Sequence, residues 1–69
     1  MAFEVDARGL SCPEPVMLAM DAMKKHGNEE IKVLVSEVVA KENVKKCAES
    51  KGKKASVTQN GSDFEILIQ

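Results

Sequence analysis

The sequence predicts an α/β fold, a small two-layer sandwich in which a four-stranded mixed sheet carries two helices on one face. Three observations carry that expectation. Strand-like and helix-like patterns succeed one another in the order β-α-β-α-β-β. The strand–helix–strand units favour parallel pairing through right-handed crossovers. An Asn60-Gly61 dipeptide between the last two strand-like runs signals a hairpin, which adds an antiparallel strand. The chain has 69 residues, so residues 1–69 form a single domain with a small core.

Each element has its own warrant. In "FEVDARG" Phe3 and Val5 face one way and Glu4 and Asp6 the other, a short strand ended by Gly9. Pro13 to about Lys25 reads as a helix with Val16, Ala19, Ala22 and Met23 inward. His26-Gly27-Asn28 stops it with a cation and a glycine able to take positive φ. "IKVLV", Ile31 to Val35, is apolar and β-branched enough for an interior strand. Val39 to Lys51 reads as a second helix ended by Gly52, with Ala40, Val44, Cys47 and Ala48 as its core stripe. "KASVTQ" turns Ala55 and Val57 inward, and "FEILIQ" puts Phe64, Ile66 and Ile68 on one face. Lys32, Glu65 and Gln69 suit the uncovered side of the sheet. Leu34 and Leu67 would lie there as isolated apolar groups or as a self-association patch.

Composition excludes several classes. The formal net charge is −1 and there is no Trp or Tyr, so neither a basic excess nor stacking aromatics points to direct nucleic-acid binding. No apolar run approaches the roughly 20 residues that span a bilayer, and "MAFEVDARG" lacks the apolar stretch of a signal peptide. The expected location is the cytoplasm, where thiols stay reduced. There are two cysteines and one histidine, at spacings unlike those of zinc ligands, so no metal is expected.

The unusual stretch is "ARGLSCPEPVML". Proline is favoured at the head of a helix, where its fixed φ fits and its missing N–H would lack a partner. Pro13 and Pro15 therefore fix where the helix starts and hold Cys12 at the cap or just before it. A helix N-terminus favours the thiolate over the thiol. The two prolines remove N–H donors, however, and Glu14 adds a nearby negative charge, so moderate activation is expected. Arg8 could offset Glu14.

The blander readings weigh differently from residue to residue. Cys47 fits a core stripe better than a reactive site. His26 suits the negative end of the helix dipole better than catalysis, since it stands a helix length from Cys12. Glu14 is as well explained by dipole compensation as by tuning a thiol, and Asp6 either binds backbone in the "DARG" turn or is a solvated strand end. Lys41, Lys45 and Lys46, interleaved with Glu42 and Glu49, read as a solvated, ion-paired helix face. Met17 and Met20 either widen the buried stripe or form an adaptable apolar rim beside Cys12.

"DARGLSCPEPVML" resembles the signature of the TusA/SirA-like sulfur-carrier family. The pattern D-x-x-G-L-x-C-P-x-P is met by Asp6, Gly9, Leu10, Cys12, Pro13 and Pro15. "SEVVAKENVKKCAESKG" is most similar to the YedF-like branch, associated with selenium or sulfur metabolism, whereas "CPEPVM" is closer to TusA proper. The resemblance implies sheet order 1-2-4-3 and a persulfide relay on Cys12, which takes sulfur from a donor such as a cysteine desulfurase. An acceptor sulfur-relay protein then receives it, with tRNA thiolation among the destinations. It implies a sulfurtransferase-type carrier rather than an independent turnover enzyme, monomeric and without a cofactor. In this reading Asp6, Gly9, Leu10, Pro13, Glu14 and Pro15 support the site, and Arg8, Met17 and Met20 rim the partner surface. The competing readings are a regulatory interaction domain with a redox-sensitive Cys12, and a Cys12–Cys47 dithiol oxidoreductase.

Overall fold

A computed structural model describes residues 3–11 and 13–69. The chain runs β1 (Phe3–Asp6), α1 (Glu14–Lys25), β2 (Ile31–Val35), α2 (Val38–Ser50), β3 (Ala55–Asn60) and β4 (Asp63–Ile68). The strands form one sheet in the order β1-β2-β4-β3, with β1 parallel to β2 and the other pairs antiparallel. This is the expected sandwich and strand order. No helix among the described residues is long and apolar enough to cross a membrane.

The two-residue period of the strands decides which side is buried. On β2, Ile31, Val33 and Val35 are fully buried while Lys32 and Leu34 alternate onto the other face. Ile66 and Ile68 of β4 pair with Val33 and Ile31 and share their burial. The helices cover this side with Pro15, Ala19, Ala22 and Met23 from α1 and Ala40, Val44 and Ala48 from α2. Alanines on both helices let the helix layer approach the branched residues of the strands closely.

The edges are barer than the alternation suggests. Phe3 on edge strand β1 is 38 % exposed and stacks on the His26 ring, with centroids 3.9 Å apart. Val57 on the opposite edge strand is 36 % exposed, with a neighbouring strand on one side only. On the open face, Leu34 lies between Asp6 and Glu65, and Leu67 between Lys32 and Ser56. Lys32 and Glu65 pair at 3.6 Å. The two leucines, both half-buried, occupy the other diagonal of the same four-residue group.

Three local expectations are corrected. The C-terminal turn of α1 does not use Gly27 at positive φ. His26 is the cap at φ −126°, and its N–H bonds the Ala22 carbonyl. Gly27 is needed for closeness instead, since a Cβ there would stand 3.0 Å from the Met23 carbonyl oxygen. The final hairpin turns through Gly61 and Ser62, one residue later than the Asn-Gly signal, with Asn60 paired to Asp63. Gly61 has φ +66° and no described residue other than glycine has positive φ, the sign pattern of a type II′ turn with glycine at its first central position. The lysine–glutamate face of α2 is not ion-paired. Among the described residues no salt bridge joins Lys45 or Lys46 to Glu42 or Glu49, and Lys41 lies over the Phe64 ring at 4.9 Å.

Candidate functional site

Parallel β1 and β2 end on the same side of the molecule, and the chain leaves each of them toward the head of a helix. The segment Ala7–Ser11, Ser36, the start of α2 and the β3–β4 turn all gather at this end. Cys12 belongs to this segment by sequence but lies outside the described residues. Its flanks on both sides are defined in detail.

On the upstream side, Ala7 continues the pairing of β1, its N–H bonded to the Leu34 carbonyl at 2.8 Å, and its side chain is fully buried. Arg8 then folds back on Asp6. Its Nε–H donates to Oδ1 at 2.9 Å, its Nη2–H to Oδ2 at 2.9 Å, and its backbone N–H to Oδ1 at 3.2 Å. Arg8 also stands 3.8 Å from Asp63 at the start of β4. The guanidinium is therefore directed at two aspartates and not at Glu14. Gly9 follows at φ +80°, and its N–H donates to Ser36 Oγ at 2.9 Å, tying the loop to the end of β2. Leu10 packs against the core.

On the downstream side, Pro13 caps α1 at φ −95° and ψ 10°, and helical residues begin at Glu14. The helix thus starts one residue later than Pro13, and Cys12 precedes the cap residue. The Glu14 N–H bonds the Ser11 carbonyl and the Met17 N–H bonds the Pro13 carbonyl, each at 3.0 Å. Prolines at 13 and 15 supply no N–H, so this helix head offers few donors to an anion beyond its dipole. Pro15 lies at N2 and is fully buried, a packing role beyond its fixed φ. Glu14 is exposed in the first turn, where it complements the dipole.

The hydrogen bonds from the Arg8 side chain, and then its backbone N–H, hold the Asp6 carboxyl down to about 2 from an ordinary 3.8. A folded-state value below the unfolded one stabilises the fold above about pH 4, and that contribution is lost as pH falls toward 2. Melting temperatures of the parent and of Asp6→Asn should therefore differ at neutral pH and converge between about pH 4 and pH 2. A gap that stays constant across that window would refute the assignment.

The other candidate residues fall in two places. Met17 and Met20 are 60 % and 42 % exposed, on the outer side of α1. Cys47 is half-buried rather than part of the closed core. The buried arc of α2 is centred on Ala40, Val44 and Ala48, which leaves Cys47 on its shoulder toward α1, in a groove shared with Pro13 and Val16. His26 lies at the far end of α1, with Nδ1 3.1 Å from Glu29 Oε1. Sequence reasoning missed Ser36 and Asp63. A serine directly after an apolar strand was visible, but its partner Gly9 is 27 positions away.

Fold and site define a class: small two-layer α/β domains that present a cysteine-bearing loop at the shared end of two parallel strands, against the head of a helix. The sequence model of the family described as Sulfurtransferase TusA matches residues 3–69, and the chain belongs to that family of sulfur-transferring carrier proteins. Among solved structures it is similar to the SirA-like protein from Desulfitobacterium hafniense. The two are 30 % identical, the match covers 99 % of this chain and 95 % of that one, and the TM-score is 0.88. No curated protein matches the chain.

Proposed function

We propose that the protein is a persulfide carrier in which Cys12 is the transfer residue. The Cys12 thiolate attacks the outer sulfur of a donor persulfide, such as that of a cysteine desulfurase. A Cys12 persulfide forms and the donor thiolate leaves. An acceptor thiolate then repeats the attack on the outer sulfur and Cys12 is released as thiolate. The observation that carries this reading is the division of labour in the motif. Asp6 binds the Arg8 backbone and side chain, Gly9 takes positive φ, Leu10 and Pro15 pack inward, and Pro13 caps the helix. These contacts fix both flanks of the motif, and the reading takes the residue between Ser11 and Pro13 as the one they serve. The setting also suits a carrier rather than a self-sufficient enzyme, since the single histidine is at the other end of α1. Partner proteins would load and unload the sulfur in a reducing compartment such as the cytoplasm.

Intact-mass measurement after incubation with a cysteine desulfurase and cysteine tests the reading. One added sulfur, lost again on treatment with a thiol, is expected. No adduct would contradict it and favour a regulatory domain.

Pro13→Ala separates scaffold from chemistry. The unfolded chain gains freedom worth about 0.4–1 kcal/mol, so the melt should fall by a few degrees only. The helix head can then extend or fray, and loading and release should slow severalfold. Unchanged rates would reduce the prolines to a helix-start device.

A further inference from the structure

Helices α1 and α2 both run back from the ends of β1 and β2, so they lie parallel, and two open depressions follow one another along the seam between them. The first, about 480 Å³, is lined by Pro13 and Val16 from one side and Lys46, Cys47 and Ser50 from the other. The second, about 670 Å³, continues it with Met17, Met20 and Met23 opposite Lys51 and Lys53. The groove is apolar along α1 and basic at its margins. Among the described residues no side-chain ion pair or hydrogen bond engages Lys24, Lys46 or Lys51. Asp21, the acid in its lining, is paired with Lys25 at 3.3 Å. The opposite face of the sheet differs, because there Lys32 pairs with Glu65 and Arg8 with Asp6. A chain of net charge −1 therefore places unpaired positive charge along one apolar groove that begins at Pro13, the neighbour of Cys12.

We propose that this interhelical groove docks an acidic amphipathic helix of a partner protein. Methionine is the residue best able to fit different apolar stripes, and a helix lying in a groove presents such a stripe at i, i+3, i+4 and i+7. Glutamates or aspartates flanking the stripe would meet Lys24, Lys46 and Lys51. From Pro13 to Lys24 the groove follows α1 for about 16 Å at 1.5 Å per residue, matching about three turns of a docked helix. A second copy is disfavoured as occupant, since two such grooves would face each other with like charge. The proposal rests on the carrier reading for its purpose, which is to bring a partner beside Cys12, but binding itself does not require the thiol.

The test uses a synthetic helical peptide of about 15 residues, with leucines in the stripe and glutamates beside it, and a twin with lysines in place of the glutamates. Backbone amide NMR and fluorescence anisotropy report binding to the parent, to Cys12→Ser, and to the double variant Lys24→Glu, Lys51→Glu. The acidic peptide should shift Val16, Met20, Met23, Cys47 and Lys51, bind the Cys12→Ser protein equally, and lose about tenfold in affinity on the double variant. Absence of binding, shifts on the open sheet face, equal binding of the lysine twin, or an unaffected double variant would each overturn the proposal. So would concentration-dependent shifts of the same residues without peptide, which would assign the groove to a second copy. Desulfurase loading of the parent keeps the two readings apart. Loading without peptide binding rejects the groove alone, and binding without loading rejects the carrier reading alone.

Discussion

A Cys12→Ser protein incubated with a cysteine desulfurase and cysteine gains no sulfur, while its thermal melt stays close to that of the parent. The chemical half follows from the reaction, since a hydroxyl cannot form a persulfide. The structural half follows from where the fold is held together. The core consists of Ile31, Val33, Val35, Ile66 and Ile68 under the alanines of both helices. The helix head is held by the Pro13 cap and by the Glu14 to Ser11 bond. Loading of Cys12→Ser at a rate near the parent's would remove this residue from the mechanism.

Ile66→Ala should do the reverse, destabilising the fold while sparing the chemistry. Ile66 is fully buried on β4, paired with Val33 on one side and Val57 on the other, under the helix layer. Removing its outer carbons loses transfer free energy and leaves a cavity, at a cost of about 2–5 kcal/mol. A domain this short has little stability in reserve, so the melting temperature should fall by at least about 8 °C. Below the transition, sulfur uptake per folded molecule should match the parent. A drop of only a degree or two would mean that the sheet does not depend on this central contact.

Most of the architecture was legible because it rests on local periodicity. The alternation of "IKVLV" fixes which residues of β2 meet the helices, and the stripe at 40, 44 and 48 fixes the face of α2. What was not legible depends on tertiary direction. Arg8 was free to reach Glu14 as far as the sequence goes, and it turns instead to Asp6 and Asp63 because the hairpin of β3 and β4 brings Asp63 to the same end. Cys47 fitted the core stripe by spacing, yet one step around the helix separates the closed core from a groove. Gly27 looked like a left-handed cap and is a close-approach glycine. Of the motif, the supporting residues are explained by geometry, and Cys12 is proposed as the transfer residue on the chemistry of a thiol.

Peptide mapping of the loaded protein tests the central claim most directly. The parent is incubated with a cysteine desulfurase and radiolabelled cysteine, separated from the donor, alkylated and digested, and the labelled sulfur is located. Label confined to the peptide containing Cys12, and released when an acceptor thiol is added before alkylation, is the predicted result. Label on the peptide containing Cys47, or on neither cysteine, would contradict the account.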